Sequence, residues 1–308
     1  MKDVSLKQLR YFQAVMENGH FGRAAEACAI SQPALSMRIK ELEQSLGTVL
    51  FERSARHVRP TRFGEAFAAR VRDVLLAVDE LGEFARASRD RLAGRLHLGI
   101  IPTIAPYLLP ALVAELGRSH PEIDLDIHET ITSRLIAELL DGRLDAAIVA
   151  LPVGEATLTE VELFSEPFVL VRPAAEADLP APERDDLHHR RVLLLDEGHC
   201  FRDQALAFCG LPAAQNTSSG LAGSSLSTLV QMVGAGLGVT LIPDMAIDVE
   251  ARWPSVCVTR LTDPQPVRAV GMIWRKTSPL AEQFAEIGDV VRRAAAAKGL
   301  SEPDLASE

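Results

Sequence analysis

The sequence predicts an α/β body preceded by a small helical module and one long helix. Three observations support this prediction. Apolar residues recur every three or four positions near the amino terminus and again over residues 63–92, which is the helical period. Beyond Gly94 apolar and polar residues alternate in short runs, which indicates strands, and helical stretches separate those runs. Strands that alternate with helices are typical of an α/β domain.

Composition favours a folded protein without a membrane segment. The 308 residues are 47% hydrophobic and 24% charged, which suits two or three domains that each have a core. Residues 1–7 lack the apolar core of a secretory signal, and no apolar run approaches the roughly 18 residues of a membrane span. We therefore expect a soluble, cytoplasmic protein with no membrane partner.

Cysteine content and charge narrow the function classes. The four cysteines form no C-x-x-C pair and are too few for a disulfide-built scaffold, so we expect no metal site and no cofactor. Residues 1–65 carry 10 Lys and Arg against 7 Asp and Glu, on a chain whose net charge is -10. A basic amino-terminal part on an acidic body fits a nucleic-acid-binding module, although so small an excess also falls within ordinary variation.

The amino-terminal residues predict three helices. Leu6, Leu9, Phe12 and Met16 lie three or four positions apart, which predicts an amphipathic helix over residues 5–17. A second helix follows over residues 21–28, and its small residues allow another helix to cross closely. The third begins after Ser31, a good N-cap, and ends near residues 46–47. Such a tight helix pair is what a helix-turn-helix requires.

The outward side of the third helix suits the major groove of DNA, where Gln and Ser reach base edges and Lys meets phosphate. Residues 49–53 and 56–62 then predict a two-stranded wing, whose arginines could lie against the DNA backbone or the minor groove. The candidate DNA contacts are Ser31, Gln32, Pro33, Ser36, Arg38, Lys40, Arg53, Arg56 and Arg62. The pattern alone also allows a small helical domain that binds no nucleic acid.

Residues 63–92 contain no proline and predict one long helix. The apolar positions Phe67, Val71, Val74, Val78, Leu81 and Ala85 are separated alternately by four and three residues. That spacing is typical of a coiled-coil seam, so we expect a dimer helix of about 45 Å. The alternative is a long helix packed on its own domain.

In the body, alternating or continuous apolar runs predict strands and longer amphipathic stretches predict helices. The predicted helices cover residues 106–118 and 133–141. The predicted strands lie at 96–100, 123–127, 146–149, 168–171, 192–195, 239–241 and 267–274, with a further strand around Cys257.

One segment of the body carries two cysteines at the ends of a predicted short helix. Cys200 lies at the amino terminus of this helix, where the partial positive charge, with His199 and Arg202 nearby, favours the nucleophilic thiolate. Cys209 lies nine residues later, about 13 Å away along an intact helix, whereas a disulfide needs Cα atoms within about 7 Å. A bond between them would therefore require the helix to unwind. The alternative is that both cysteines are small buried hydrophobes, as we expect for Cys28 and Cys257.

The amino-terminal motifs together resemble the winged helix-turn-helix signature of LysR-type bacterial transcription regulators. The matching residues are Leu9-Arg10-Tyr11-Phe12, Ala24-Ala25, Ser31-Gln32-Pro33-Ala34-Leu35-Ser36, Ile39, Leu42-Glu43, Gly47, Leu50-Phe51-Glu52-Arg53 and Thr61-Arg62-Phe63-Gly64. The resemblance implies a DNA-binding domain over 1–62, a linker and dimerisation helix over 63–92, and a regulatory domain over 94–300, followed by a tail at 301–308. It further implies two subdomains like those of periplasmic binding proteins, one from 94–165 with 267–298 and the other from 166–266.

The cysteine segment is similar to the redox segment of the peroxide-sensing regulators in that family. The similarity covers Gly198-His199-Cys200, Arg202-Asp203-Gln204-Ala205 and Phe208-Cys209, and extends to Ile101-Pro102-Thr103, Pro106-Tyr107-Leu108-Leu109-Pro110 and His128-Glu129 before Thr132. It implies that hydrogen peroxide oxidises Cys200 and that Cys209 resolves the product by forming a disulfide. It also implies that Thr103 and Thr132 hold the peroxide oxygens and that His199 orients them. Arg268 would stabilise the thiolate, and Asp203 would assist proton transfer.

The implied partners are double-stranded promoter DNA, hydrogen peroxide, further copies of the chain in a homodimer or homotetramer, RNA polymerase, and glutaredoxin or glutathione as reductant. The implied role is a regulator, not an enzyme, that activates oxidative-stress genes. The polar site residues also allow a purely structural interpretation, in which the threonines cap helices and Arg268 is an ordinary ion-pair partner. The chain departs from the redox pattern at Gly210-Leu211-Pro212 and at Ser227, where an acidic residue is expected.

Three other functions stay open. A LysR-type regulator could bind a small metabolite in the cleft between its subdomains, and its DNA binding would then ignore peroxide. A thiol peroxidase would show steady turnover with a reductant, but it needs no base-reading helix. A solute-binding protein is disfavoured by the missing signal peptide and by the amino-terminal module.

Overall fold

The computed structural model describes residues 4–53, 58–87, 93–183, 185–209, 222–262 and 265–300. The chain divides into two compact units, residues 1–85 and 86–308. The first is a helical module with a small wing and a long helix, and the second is an α/β domain, so the predicted fold class is confirmed. Within the described ranges, no helix combines the length and apolarity that a bilayer crossing needs.

The first unit contains the three predicted helices and the wing. Its elements are α1 (Leu6–Asn18), α2 (Phe21–Ala27), α3 (Gln32–Leu46), β1 (Phe51–Arg53), β2 (Val58–Pro60) and α4 (Arg62–Ala87). The hydroxyl of Ser31 accepts the backbone N–H of Ala34 and so caps α3. Gly47 ends α3 in the left-handed conformation at φ 71°, which glycine adopts without steric cost. Leu35, Ile39 and other fully buried side chains of α1 and α3 form the core.

The long helix differs from its prediction in two ways. Arg62 is the first residue of α4 and does not belong to the wing. The predicted seam is also divided, because Val71 is buried in the module's own core whereas Val74 and Leu81 are 44% and 68% exposed. The first turns of α4 close the small core, which leaves only the later turns with an uncovered apolar face. Residues 88–92 of the predicted helix lie outside the described ranges.

The second unit is built on a sheet of parallel and antiparallel strands covered by helices. Its elements are β3 (Gly94–Ile100), α5 (Ala105–Ser119), β4 (Ile123–Glu129), α6 (Thr132–Leu140), β5 (Ala146–Leu151), β6 (Leu158–Pro173), β7 (Leu194–Leu195), α7 (Cys200–Cys209), β8 (Ala222–Gly223), α8 (Leu226–Gly234), β9 (Thr240–Pro243), α9 (Ile247–Glu250), β10 (Val256–Arg260), β11 (Val267–Arg275) and α10 (Ala281–Ala296). The strand order is β10-β6-β11-β5-β3-β4, and β9 also pairs with β6.

Strand β6 connects the two halves of this unit. Up to Pro167 it pairs with β11, and from Phe168 it pairs with β9 and β10. The chain returns at Pro266, whose carbonyl accepts the N–H of Phe168 at 2.8 Å. Two crossings therefore lie side by side and separate two subdomains. Only residues 168–171 of β6 were predicted from the sequence, because the first half of this strand carries several polar residues that weaken the apolar signal.

The remaining strand predictions agree with the structure in position and differ in length. β7 covers only Leu194 and Leu195, and Val192 of the predicted strand makes a single parallel bridge to Val239. Parallel β3 and β4 end on the same edge of the sheet, and the turns that follow them lead into α5 and α6. In open α/β sheets this edge is where ligands bind.

Candidate functional site

The two cysteines lie at opposite ends of α7. Cys200 is the first residue of this helix and is partly buried, whereas Cys209 is the last and is fully buried. Both are free thiols. An α-helix rises about 1.5 Å per residue, which separates the two ends by about 13 Å. A disulfide cannot span that length, so this arrangement belongs to the reduced protein.

A narrow cavity lies at the amino terminus of α7, and in this structure it is too tight to hold a water molecule. Three segments form its wall: the turn after β3, the start of α6 and the start of α7. The residues that line it are Ile101, Pro102, Thr103, Ile131, Thr132, His199, Cys200 and Phe201. The structure therefore brings one thiol, two hydroxyls and one imidazole together, and all four were candidates from the sequence.

The two threonines of the cavity differ in their hydrogen bonds. Thr103 is 3% exposed, and its hydroxyl oxygen accepts a hydrogen bond from Nη1 of Arg268 at 2.9 Å. Its own hydrogen is thus left for another acceptor. The Oγ1 atom of Thr132 is buried and has no hydrogen-bond partner among the described residues. An unpaired buried hydroxyl is costly, and here it faces the same cavity as the Cys200 thiol.

Arg268 lies behind Thr103. Its Nη2 donates to the Thr103 carbonyl at 3.0 Å, and its Nε donates to Oε1 of Glu166 at 2.8 Å. The side chains of Arg268 and Glu166 are both fully buried. Among the described residues, the hydrogen bonds of Arg268 go to these two partners and none goes to the Cys200 thiol. The contact with Thr103 is therefore its observed link to the cavity, and direct stabilisation of the thiolate stays a prediction.

His199 and Asp203 flank Cys200 along the chain. Burial lowers the pKa of His199 below its ordinary value, and the nearby Asp196 only partly opposes this. His199 is therefore a neutral imidazole at pH 7, with one nitrogen that donates and one that accepts. Asp203 lies in the first turn of α7, exposed to solvent and outside the cavity lining. Its predicted help in proton transfer stays untested.

A larger cleft of about 510 Å³ adjoins the cavity, and Thr103 and His199 are among the residues that line both. Residues of both subdomains line this cleft. Glu250 is 5% exposed and accepts hydrogen bonds from the hydroxyls of Tyr107 at 2.7 Å and Ser227 at 2.9 Å. Burial, followed by the bond to Glu250, raises the pKa of Tyr107 far above its ordinary value. Ser227, where an acidic residue was expected, thus has a carboxylate beside it from α9.

Comparisons with known proteins bear on both units. Residues 6–65 match the model of the bacterial regulatory helix-turn-helix protein, lysR family, and residues 89–296 match the LysR substrate binding domain. The "Hydrogen peroxide-inducible genes activator" of Dickeya chrysanthemi is 38% identical over 94% of this chain and 95% of the relative.

Solved structures agree with this result. A full-length Pseudomonas aeruginosa OxyR with a cysteine-to-aspartate substitution is 36% identical, with a TM-score of 0.77, over 99% of this chain and 100% of that chain. A Corynebacterium glutamicum OxyR with a cysteine-to-serine substitution, bound to hydrogen peroxide, is 34% identical, with a TM-score of 0.66, over 98% of both chains. The chain belongs to the OxyR branch of the LysR family.

The DNA-binding unit of this OxyR-type chain presents the outward face of α3. Gln32, Pro33 and Lys40 are exposed, and Ser36 is partly buried. Ser31 is exposed but caps the helix, and Arg38 is paired with Glu41 at 2.9 Å on the surface. Residue Arg56 and the side chain of Arg53 lie outside the described parts of the chain. Gln32 and Lys40 are thus exposed on α3, and their contacts with bases and phosphate stay a prediction.

Two residues beside the candidate site were not among those predicted from the sequence. Glu166 anchors Arg268, and the ring of Phe201 lies 5.6 Å from the Arg268 guanidinium carbon. Glu166 could have been noticed as a single carboxylate inside the apolar stretch from Leu163 to Val169, since a charge in a buried strand needs a partner. The sequence gives no comparable signal for Phe201, which has the apolar character of an ordinary core residue.

Proposed function

We propose that this chain is a hydrogen peroxide-sensing, DNA-binding transcription regulator that is switched by oxidation of Cys200. One observation carries the proposal: the Cys200 thiol shares a small cavity with the hydroxyls of Thr103 and Thr132 and the neutral ring of His199. The cavity offers hydrogen-bond donors and acceptors, and its walls must move apart to admit hydrogen peroxide, because in this structure it is too narrow for a water molecule. Membership of the OxyR branch supports the same function.

In the first step the Cys200 thiolate attacks one oxygen of hydrogen peroxide. A sulfur–oxygen bond forms, the oxygen–oxygen bond breaks, and Cys200 becomes a sulfenic acid while hydroxide leaves and is protonated to water. Thr103 and Thr132 donate hydrogen bonds to the peroxide oxygens, where negative charge develops. His199 orients the peroxide, and its donor nitrogen faces the leaving oxygen. Asp203 is assigned to proton transfer from outside the cavity.

In the second step the thiol of Cys209 attacks the sulfenic acid, a disulfide forms and water leaves. Because α7 separates the Cα atoms of the two cysteines by about 13 Å along its axis, the helix must unwind. Unwinding withdraws Phe201, Ala205 and Leu206 from the core, where they are at most 6% exposed. A chemical change at one atom thereby becomes a rearrangement of the regulatory domain.

The proposal extends to the partners. The exposed apolar face of α4, with Val74, Leu81 and Phe84, supports a homodimer, and tetramers would form from pairs of dimers. The winged module binds promoter DNA through α3, and the oxidised form recruits RNA polymerase to oxidative-stress genes. Glutaredoxin or glutathione returns the disulfide to thiols. One peroxide molecule is consumed for each switching event, so the chain acts as a sensor and not as an enzyme. Its place of action is the cytoplasm.

Thiol counting by mass spectrometry tests the proposal on the purified full-length chain, before and after a small excess of hydrogen peroxide. We expect the wild type to form a disulfide between Cys200 and Cys209. The Cys209→Ser variant should accumulate sulfenic or overoxidised Cys200, and Cys200→Ser should retain a reduced Cys209. If both thiols of the wild type stay reduced at micromolar peroxide, the proposal is wrong, and the larger cleft becomes the candidate sensor site.

A further inference from the structure

Glu166 and Arg268 form a buried pair at the point where the chain passes between the two subdomains. They are direct cross-strand partners on antiparallel β6 and β11. Oε1 of Glu166 accepts a hydrogen bond from Nε of Arg268 at 2.8 Å and forms an ion pair with Nη2 at 2.7 Å. Oε2 accepts the backbone N–H of Met245 at 3.1 Å. The carboxylate is therefore bonded on both oxygens and has one defined orientation.

We infer that Glu166 is a positioning residue for the peroxide reaction: it holds Arg268 so that Arg268 fixes the Thr103 hydroxyl in the cavity wall. This inference rests on the proposed function, since it assigns a part in the same reaction. Glu166 itself does not line the cavity, and it acts only through Arg268 and Thr103.

The need for such a residue follows from the burial of Arg268. Its side chain is fully buried, so its charge requires a partner, and a long flexible side chain would otherwise turn toward any acceptor within reach. Glu166 holds one side of the guanidinium group through its contacts with Nε and Nη2, and these contacts fix the orientation of the guanidinium plane. Nη1 and Nη2 then hold the hydroxyl and the carbonyl of Thr103 at 2.9 and 3.0 Å.

The fixed Thr103 hydroxyl is what the reaction uses. Because its oxygen accepts from Arg268, its hydrogen is available to the peroxide oxygen that gains charge. The face of the guanidinium lies 5.6 Å from the ring of Phe201, the residue that follows Cys200. Loss of Glu166 would therefore disturb the donor on one side of the cavity while leaving the Cys200 thiol and Thr132 in place.

The test measures the second-order rate constant of Cys200 oxidation by hydrogen peroxide in the full-length chain carrying Cys209→Ser, with site-resolved mass spectrometry. The variants are Glu166→Gln, Glu166→Asp, Arg268→Met and the double variant Glu166→Gln with Arg268→Met. In Glu166→Gln an NH₂ group replaces one of the two carboxylate oxygens, so either Arg268 or the Met245 N–H then faces a donor in place of an acceptor. Glu138→Gln is the matched control, because Glu138 is 8% exposed in the same unit but outside the cavity.

We expect Glu166→Gln to react about tenfold more slowly, as for loss of one oriented hydrogen bond to a charged group. Glu166→Asp should recover part of the rate, and the control should react like the parent. The double variant should be no slower than Arg268→Met alone, because Glu166 acts through Arg268. A merely structural role would instead lower thermal stability and give rate losses that multiply.

Two results would overturn the inference: a parental rate in Glu166→Gln, or multiplied losses in the double variant. If circular dichroism shows that Glu166→Gln is unfolded, Glu166→Asp decides, and a parental rate there also overturns the inference. A parent protein that does not react with peroxide at all would overturn the proposed function itself. The two failures are thus distinguishable.

Discussion

Thr132 offers a substitution whose effects on stability and on reactivity should have opposite signs. Its Oγ1 atom is buried without a hydrogen-bond partner among the described residues and faces the cavity of Cys200. Thr132→Val replaces this hydroxyl by a methyl group of similar shape. In the reduced protein the change removes an unsatisfied polar atom, and in the reacting complex it removes a hydrogen-bond donor to peroxide.

The change in stability comes from the reduced protein, and the change in oxidation rate comes from the transition state with peroxide. An unpaired buried hydroxyl costs about 1–3 kcal/mol, and incomplete burial of Thr132 places it at the lower end, so the reduced protein should gain about 1 kcal/mol. For a unit of this size that raises Tm by about 2–4 °C. A hydrogen bond to a group that becomes charged contributes about 1.5–3 kcal/mol. Its loss in the transition state slows Cys200 oxidation by roughly 10- to 100-fold.

Calorimetry on the reduced protein and pseudo-first-order oxidation of Cys200 measure the two effects. Thr130→Val is the matched control, since Thr130 lines the larger cleft but not the cavity, and both quantities should stay at their wild-type values. A wild-type oxidation rate in Thr132→Val would show that this hydroxyl does not contact peroxide. A lower Tm would show that the hydroxyl is already paired in the reduced protein.

Three further predictions concern other parts of the chain. The pKa of His199 is lowered in the folded state, so the unfolded chain takes up a proton first as pH falls through 6.5, and the free energy of unfolding should decrease there and level off below the folded pKa. Urea unfolding at several pH values should show this decrease in the wild type and not in His199→Gln, and the same pH dependence in both proteins would contradict the assignment. Measured by fluorescence anisotropy, Lys40→Ala should weaken binding to all DNA sequences and reduce the slope of log affinity against log salt concentration by about one. Gln32→Ala should cost about 1–3 kcal/mol of binding free energy only on DNA that carries its preferred base pair, and an equal loss on every DNA sequence would refute the base contact. Leu81→Asp should dissociate the proposed dimer in sedimentation experiments, and an unchanged mass would show that the interface does not lie on α4.

Much of the fold could be predicted from local patterns. The helical period, the N-cap at Ser31 and the glycine at Gly47 placed the three helices of the first unit within a residue or two, because capping and periodicity act within one turn. Predictions failed where the structure or burial of a residue depends on a neighbouring element. Arg62 begins α4 because the wing ends before it, and Val71 leaves the predicted seam because the module's own core covers it.

The sequence by itself determined the cysteine helix: Cys200 and Cys209 lie at its two ends, and a disulfide between them requires unwinding. The family resemblance pointed to Thr103 and Thr132. Only the tertiary structure decided how these residues act together, because their contacts depend on sheet register. Arg268 meets Glu166 and Thr103 across 102 and 165 positions of chain, and it does so because β11 pairs with β6 while β3 ends nearby. Periodicity records which face of a strand is buried, but it carries no information about which distant strand lies opposite.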